Sequence, residues 1–415
     1  MHRLRQNRAG VRRTVNYVWL VGGLIGMFAA GGVFGWSLRA RTATPAVPLA
    51  RPVADPLATP ATGYSWSDLP DPTFPVPAYA RFLAGATVVL DPGHVGQNLK
   101  GKSPNFKRGP TGLREATANL NVALYLREFL TAAGATVVLT REEDRSLDLT
   151  DAEDLRARAA VANQHRADLF ISLHHNASDT TTTNFSSLWY HKSPDQSKAS
   201  LAAARYLLTG LNDALRLENQ LECPILSDEL LYADGGLAVL RHARVPAVLV
   251  ESSFHSNPLE EQRLKDPVYN RREAYGLFLG LARWAQAGLP RVRVLEPAEG
   301  RVRPGEKIVI ALDDGLSGRG GWGQEKVKVL ADSIVVKLDD KPVEFSADLL
   351  RDRLTLTVPA DTAASARTLY VNFSNIFGNW VIHPALAIEV APGAPTRPAP
   401  TQAAPKPSRR SRRGS

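Results

Sequence analysis

Cysteine is nearly missing from this chain. Cys223 stands alone among 415 residues, which rules out an intramolecular disulfide framework and a cysteine-based metal cluster. Any metal must be held by histidine and carboxylate. Nor does the net charge imply a basic catalytic surface. Lys and Arg number 50 against 41 acids, a formal +9, but much of the excess sits in residues 1–13 and 409–413. Such tails attract anionic lipid, nucleic acid or acidic polymer through charge density alone, so no nucleic-acid partner is expected. What remains is ordinary: 44% hydrophobic and 22% charged residues suffice for a buried core. The length allows two domains of about 100–200 residues each.

Residues 14–38 form a run of 25 without a charge, preceded by Arg3, Arg5, Arg8, Arg12 and Arg13. That length suits a transmembrane helix. The basic flank predicts a cytoplasmic 1–13, a signal anchor at 14–38 and interface positions for Trp19 and Trp36. On this reading the protein is a single-pass cell-membrane protein with everything after residue 38 periplasmic or extracellular. A cleaved signal peptide is the rival, but its apolar region usually covers about 7–15 residues. Residues 39–77, rich in Pro, Ala and Thr, read as an extended linker.

From 78 to 288 apolar runs alternate with helical patterns: ATVVLD, LNVALYLREFLTAAG, ATVVLTR, LRARAAVANQH, ADLFISLHH and AVLVESSF. This predicts an α/β domain with a mixed, largely parallel sheet flanked by helices. Its site is expected at the carboxyl ends of the strands. From 291 to 390 short alternating stretches such as KIVIALDD, DRLTLTV and RTLYVNF predict a small all-β sandwich. Residues 391–415 read as a disordered basic tail.

Four segments carry chemistry. Val88–His94 is a buried strand that delivers a histidine onto a turn, as a candidate ligand or as a plain turn residue. Glu115 opens an amphipathic helix, where the helix dipole alone favours an acid. Ala167–Asn176 is a second strand ending in histidine, at His174 and His175. Adjacent strand residues face opposite ways, so one of the two reaches a metal directly, and His174 is preferred. Two such strands with a carboxylate between them could converge into a His2-Glu set that leaves a fourth zinc position for water. Pro246–Asn257 is an apolar strand carrying Glu251, either a proton-transfer group or a satisfied strand-end acid.

Taken in order, these segments resemble the zinc-dependent N-acetylmuramoyl-L-alanine amidases of the amidase-3 type, from about Thr87 to Trp284. Weaker echoes occur at Val138–Arg141, Arg156–Asn163 and Leu237–Arg241. The resemblance implies Zn2+ held by His94, Glu115 and His174, with Glu251 as the catalytic acid–base. The implied reaction is hydrolysis of the amide joining muramic acid to L-alanine of the peptidoglycan stem peptide. Arg241 is a candidate substrate-binding residue. Three departures stand out: His175 replaces a small residue, Ser252–Ser253 stands where glycine is common, and Val95–Pro110 is long and basic. The spacing between His174 and Arg241 predicts an open cleft without an internal plug. Two alternatives are a zinc peptidase of wall peptides and a non-catalytic wall-binding scaffold. The β-sandwich is expected to bind wall or a protein partner, or to act as a spacer, and His383 is expected to be structural.

Overall fold

The computed structural model describes residues 73–95, 107–144, 149–233, 235–319 and 327–392. Two units divide them, one through Arg291 with the segments Asp313–Ile334 and Asn372–Pro384, the other made of Val292–Leu312, Val335–Val371 and the chain from Ala385.

The first unit is α/β. In chain order it holds β1 (Thr87–Pro92), α1 (Glu115–Ala132), β2 (Thr136–Leu139), α2 (Asp151–Gln164), β3 (Leu169–Asn176), β4 (Ser187–Tyr190), α3 (Lys198–Leu215), β5 (Ile225–Ser227), α4 (Ala238–Arg241), β6 (Ala247–Phe254), α5 (Pro258–Leu264) and α6 (Pro267–Gln286). The six strands form one sheet in the order β2-β1-β3-β6-β4-β5. The first four strands of that order run parallel, and β4 turns antiparallel against β6.

Both faces of this sheet are covered, which explains why its central strands begin as apolar runs instead of alternating. Val88, Leu90, Ile171, Val248 and Val250 join the core formed with α1, α3 and α6. Their strand neighbours Val89, Phe170 and Leu249 join a second cluster with Val161 and Ala162 of α2 and Val239 and Leu240 of α4. On the thicker side α3 meets α6 at bare backbone: a Cβ on Gly210 would lie 2.0 Å from the carbonyl oxygen of Gly276. Only glycine permits that approach. On the other side α2 starts with a capping box between Thr150 and Glu153, which satisfies helix-end donors on both residues.

The second unit is all-β. Its strands are β7 (Arg291–Glu296), β8 (Arg301–Val302), β9 (Lys307–Asp313), β10 (Val335–Leu338), β11 (Lys341–Pro342), β12 (Phe345–Asp348), β13 (Arg353–Thr357), β14 (Ser365–Asn372) and β15 (Ala385–Val390). They form two sheets, β11-β10-β14-β15-β8 and β12-β13-β9-β7. Ile308, Ile310 and Leu312 of β9 are buried, as are Leu354 and Leu356 of β13, while their strand neighbours are more exposed. That period of two marks sheets with one face inward.

The expected transmembrane helix is corrected. No helix of the described residues is long and apolar enough to cross a membrane, and residues 14–38 lie outside them, as do 1–13, 39–72 and 393–415. The fold class is therefore an α/β domain followed by a β-rich unit, and the single-pass membrane localisation that rested on 14–38 is withdrawn with the helix.

Candidate active site

The site lies at the carboxyl ends of β1, β3 and β6. His94 follows β1 with φ 62°, a left-handed conformation that is costly for a residue with a Cβ. Two buried arginines hold the turn. Arg158 of α2 donates to the carbonyls of Pro92 at 2.9 Å and His94 at 2.7 Å. Arg141, after β2, donates to those of Pro92 at 3.0 Å and Gly93 at 3.1 Å. Burial, then the charge of Arg158, lowers the pKa of Arg141 to about 9. Gly93 must be glycine, because a Cβ there would lie 2.2 Å from Nε2 of His174.

Glu115 is the first residue of α1, and its backbone N–H donates to Lys107 O at 2.9 Å. The preceding loop is pinned by the buried carboxylate of Glu261, which accepts from the N–H of Thr111, the Thr111 hydroxyl and the N–H of Leu113 at 2.7–3.0 Å. Of the long, basic segment Val95–Pro110, residues 96–106 lie outside the described residues.

These elements bring three side chains together. His94 Nε2 is 2.8 Å from Glu115 Oε2, and His174 Nδ1 is 3.1 Å from Glu115 Oε1. One donor atom from each lies within 4.8 Å of the others, a group that can hold a metal ion. The two imidazoles meet edge to face, 4.7 Å between centroids. The histidine side chains are 15–16% exposed while that of Glu115 is 3% exposed, so the group opens to one side. Burial would raise the Glu115 pKa, but His94 and His174 more than offset it and hold the carboxyl well below its usual range. Burial lowers that of His94 despite Glu115.

Glu251 is the register partner of His174 across β3 and β6, so both side chains leave the same face of the sheet. Its Oε2 is buried without a hydrogen-bond partner. Burial first, then the Glu115 carboxylate, raises its pKa well above the usual value, against the opposing effects of His175 and Lys107. Ser252 and Ser253, the departures from glycine, are fully buried.

Arg241 is no member of the three-residue group. As the last residue of α4 it donates from Nη1 to the carbonyls of Gly235 at 2.9 Å and Gly236 at 3.3 Å, tying the loop before its helix. His383 Nε2 lies 3.6 Å from Asp168 Oδ1, and Asp168 also pairs with Arg291 at 2.9 Å. In the interval expected to be free of a plug, α3 buries Leu207 and Leu211 in the core.

Several details of the site escaped sequence reasoning, among them what His175 meets on the face opposite His174. His175 is 2% exposed and faces away from His174, its ring nitrogens 2.7 Å from Asn119 Oδ1 and 3.0 Å from Glu273 Oε2. His255 is also 2% exposed, with Nε2 3.6 Å from Glu115 Oε2 and no hydrogen bond at either ring nitrogen. Burial lowers its pKa to about 4, leaving the ring neutral near pH 7. The available signal was polarity at positions otherwise patterned for the core: Asn119 and Glu273 inside helices, Arg158 on an alanine-rich face.

A mixed α/β domain that gathers two imidazoles, a carboxylate and a second buried acid at its strand ends has the equipment of a hydrolase. Residues 88–283 match the family model described as N-acetylmuramoyl-L-alanine amidase, and the chain accordingly carries a domain of that peptidoglycan amidase family. The germination-specific N-acetylmuramoyl-L-alanine amidase of Bacillus subtilis (strain 168) is 29% identical over 211 residues, 49% of this chain and 81% of that protein. N-acetylmuramoyl-L-alanine amidase LytC of the same strain is 30% identical over 203 residues, 48% of this chain and 35% of LytC. The catalytic domain of CwlV, an N-acetylmuramoyl-L-alanine amidase from Bacillus (Paenibacillus) polymyxa var. colistinus, is 28% identical with a TM-score of 0.39, covering 48% of this chain and 97% of that one.

Proposed function

We propose that residues 78–288 are the catalytic domain of an enzyme that hydrolyses the amide between N-acetylmuramic acid and L-alanine, with Zn2+ held by His94, Glu115 and His174 and with Glu251 as general base. The observation that carries the reading is the convergence of the three donor atoms within 4.8 Å next to the orphaned Oε2 of Glu251. The donor set fits zinc: two imidazole nitrogens and a carboxylate oxygen, with one side left open. When bound, zinc supplies Lewis-acid polarisation of the scissile carbonyl and lowers the pKa of water toward neutrality.

The chain's own residues do the rest. Glu251 takes a proton from the attacking water and passes it to the departing L-alanine nitrogen. Its raised proton affinity suits both halves of that task, since a base must also hold the proton long enough to deliver it. Arg158 and Arg141 hold the turn that aims His94, and Glu261 holds the loop that starts α1 at Glu115. The β-rich residues 291–390 are read as an accessory module that contacts wall or a protein partner.

The test is incubation of the purified chain with peptidoglycan, with and without chelator, followed by mass spectrometry. Stem peptides beginning at L-alanine are expected, lost on chelation and in Glu251→Ala. Cleavage inside the stem peptide would instead make it a peptidase, and zinc binding without release of any fragment would make it a wall-binding protein.

A further inference from the structure

His175 and Glu273 take no part in the proposed reaction, yet they form a buried polar pair directly beneath it. Their side chains are each 1% exposed and 3.0 Å apart. They come from β3 and α6, 98 positions apart in sequence. The other nitrogen of His175 is 2.7 Å from Asn119 Oδ1. Asn119 lies one turn after Glu115 on α1, and its Nδ2 is 3.4 Å from Glu115 Oε1 and 3.3 Å from Gly93 O.

The orientation of the Asn119 amide follows from these neighbours. Gly93 O and the Glu115 carboxylate only accept hydrogen bonds, so the amide nitrogen faces them and the amide oxygen faces His175. His175 therefore donates from Nδ1 to Asn119, and its Nε2 lies 3.0 Å from the Glu273 carboxylate. Without that donor the amide can turn over, which would set its oxygen against the carboxylate of Glu115. The chain Glu273, His175, Asn119, Glu115 thus fixes one oxygen of a metal-ligand candidate and also grips the turn before His94.

Stability does not account for the pair. Glu273 Oε1 is buried with no partner, and replacing buried ion pairs by apolar residues is often neutral or stabilising. We infer that His175 and Glu273 are positioning residues that set the metal affinity of the site by orienting Asn119 toward Glu115. This rests on the reading of His94, Glu115 and His174 as a zinc site. Partners one layer behind metal ligands typically change affinity by about 10–100-fold when lost.

The experiment measures zinc affinity by chelator competition, together with Tm of the chelated protein, on the full chain. The double variant His175→Leu/Glu273→Leu is expected to bind zinc about 10–100-fold more weakly with no fall in Tm. Glu273→Gln, which keeps an acceptor for His175, is expected to bind zinc as the wild type does. Should the double variant fail to fold, Asn119→Ala cuts the same relay at its last link and is expected to show the same loss. Wild-type affinity in the double variant or in Asn119→Ala overturns the inference alone. A wild-type chain with no zinc affinity overturns the metal reading as well.

Discussion

The guanidinium of Arg158 hydrogen-bonds the main-chain carbonyl of His94 at 2.7 Å. One buried side chain on α2 thereby holds the residue after β1 in its left-handed conformation. The same guanidinium pairs with Asp91 at 2.8 Å and Asp154 at 2.7 Å, so a single charge organises the turn, the strand end and the helix behind them.

Removing that charge strands two acids in the interior. Arg158→Leu is expected to destabilise the amidase domain by about 3–5 kcal/mol, the usual cost of breaking a buried pair by removing one partner. At roughly 2–4 °C per kcal/mol for a domain of this size, Tm should fall by about 6–20 °C in a thermal melt. A shift under about 2 °C would contradict the clamp.

Acid should weaken the same cluster. Burial alone would raise the Asp91 pKa, but the charge of Arg158 and hydrogen bonds from Thr140, Ser172 and Arg158 more than offset it, and the folded value is lowered. A depressed carboxylate contributes stability above its unfolded pKa of about 3.9, and loses it as pH falls through the folded value. Urea midpoints of wild type should therefore drop below about pH 4, with a shallower drop in Asp91→Asn.

Glu251 should show function opposed to stability. Its pKa is raised by burial and by Glu115, so the ionised carboxylate costs stability at neutral pH. That cost is absent below its unfolded pKa, where both states are protonated, and grows above it. Glu251→Gln in chelated protein at pH 7 is expected to keep or raise Tm, while the zinc-loaded enzyme loses about 10²–10⁴ in kcat. Calorimetry and turnover on peptidoglycan check the two halves separately.

Metal binding should register as thermal stabilisation. Zinc at 100 times its Kd adds about 2.7 kcal/mol to a folded state that alone binds it. His94→Ala and Glu115→Ala are expected to lose that shift together with bound zinc in elemental analysis. Arg241→Ala, altering a residue that ties Gly235 and Gly236, should keep both.

Gly93→Ala tests the packing of the donor set. The added methyl would lie 2.2 Å from His174 Nε2, so the ring must move. Overpacking of this kind costs about 1–3 kcal/mol, and zinc affinity should fall with it. Unchanged affinity would mean that the ring shifts without disturbing its donor atom.

Much of the sheet was legible because its central strands are covered on both faces. Val88–Leu90, Leu169–Ile171 and Val248–Val250 therefore read as continuous apolar runs. The candidates His94, Glu115, His174 and Glu251 were legible because each stands where such a run or a helix changes character, in the order that the amidase resemblance implies. The charge-free run at 14–38 shows the limit of that reasoning. Hydropathy states what a segment tolerates, and no described helix bears out the spanning role assigned to it.

By itself the sequence determined that any metal here rests on histidine and carboxylate, since one exposed cysteine cannot build a cluster. It also determined where apolar runs deliver those side chains. Only the tertiary structure decided that His175, on the face opposite His174, meets Asn119 and Glu273, that His255 lies beside Glu115 without a hydrogen bond at its ring, and that Arg241 ties its own loop. The first of these depends on partners brought together by packing, 56 and 98 positions away from His175. Periodicity reports which face a residue takes and carries no record of the side chain that meets it there.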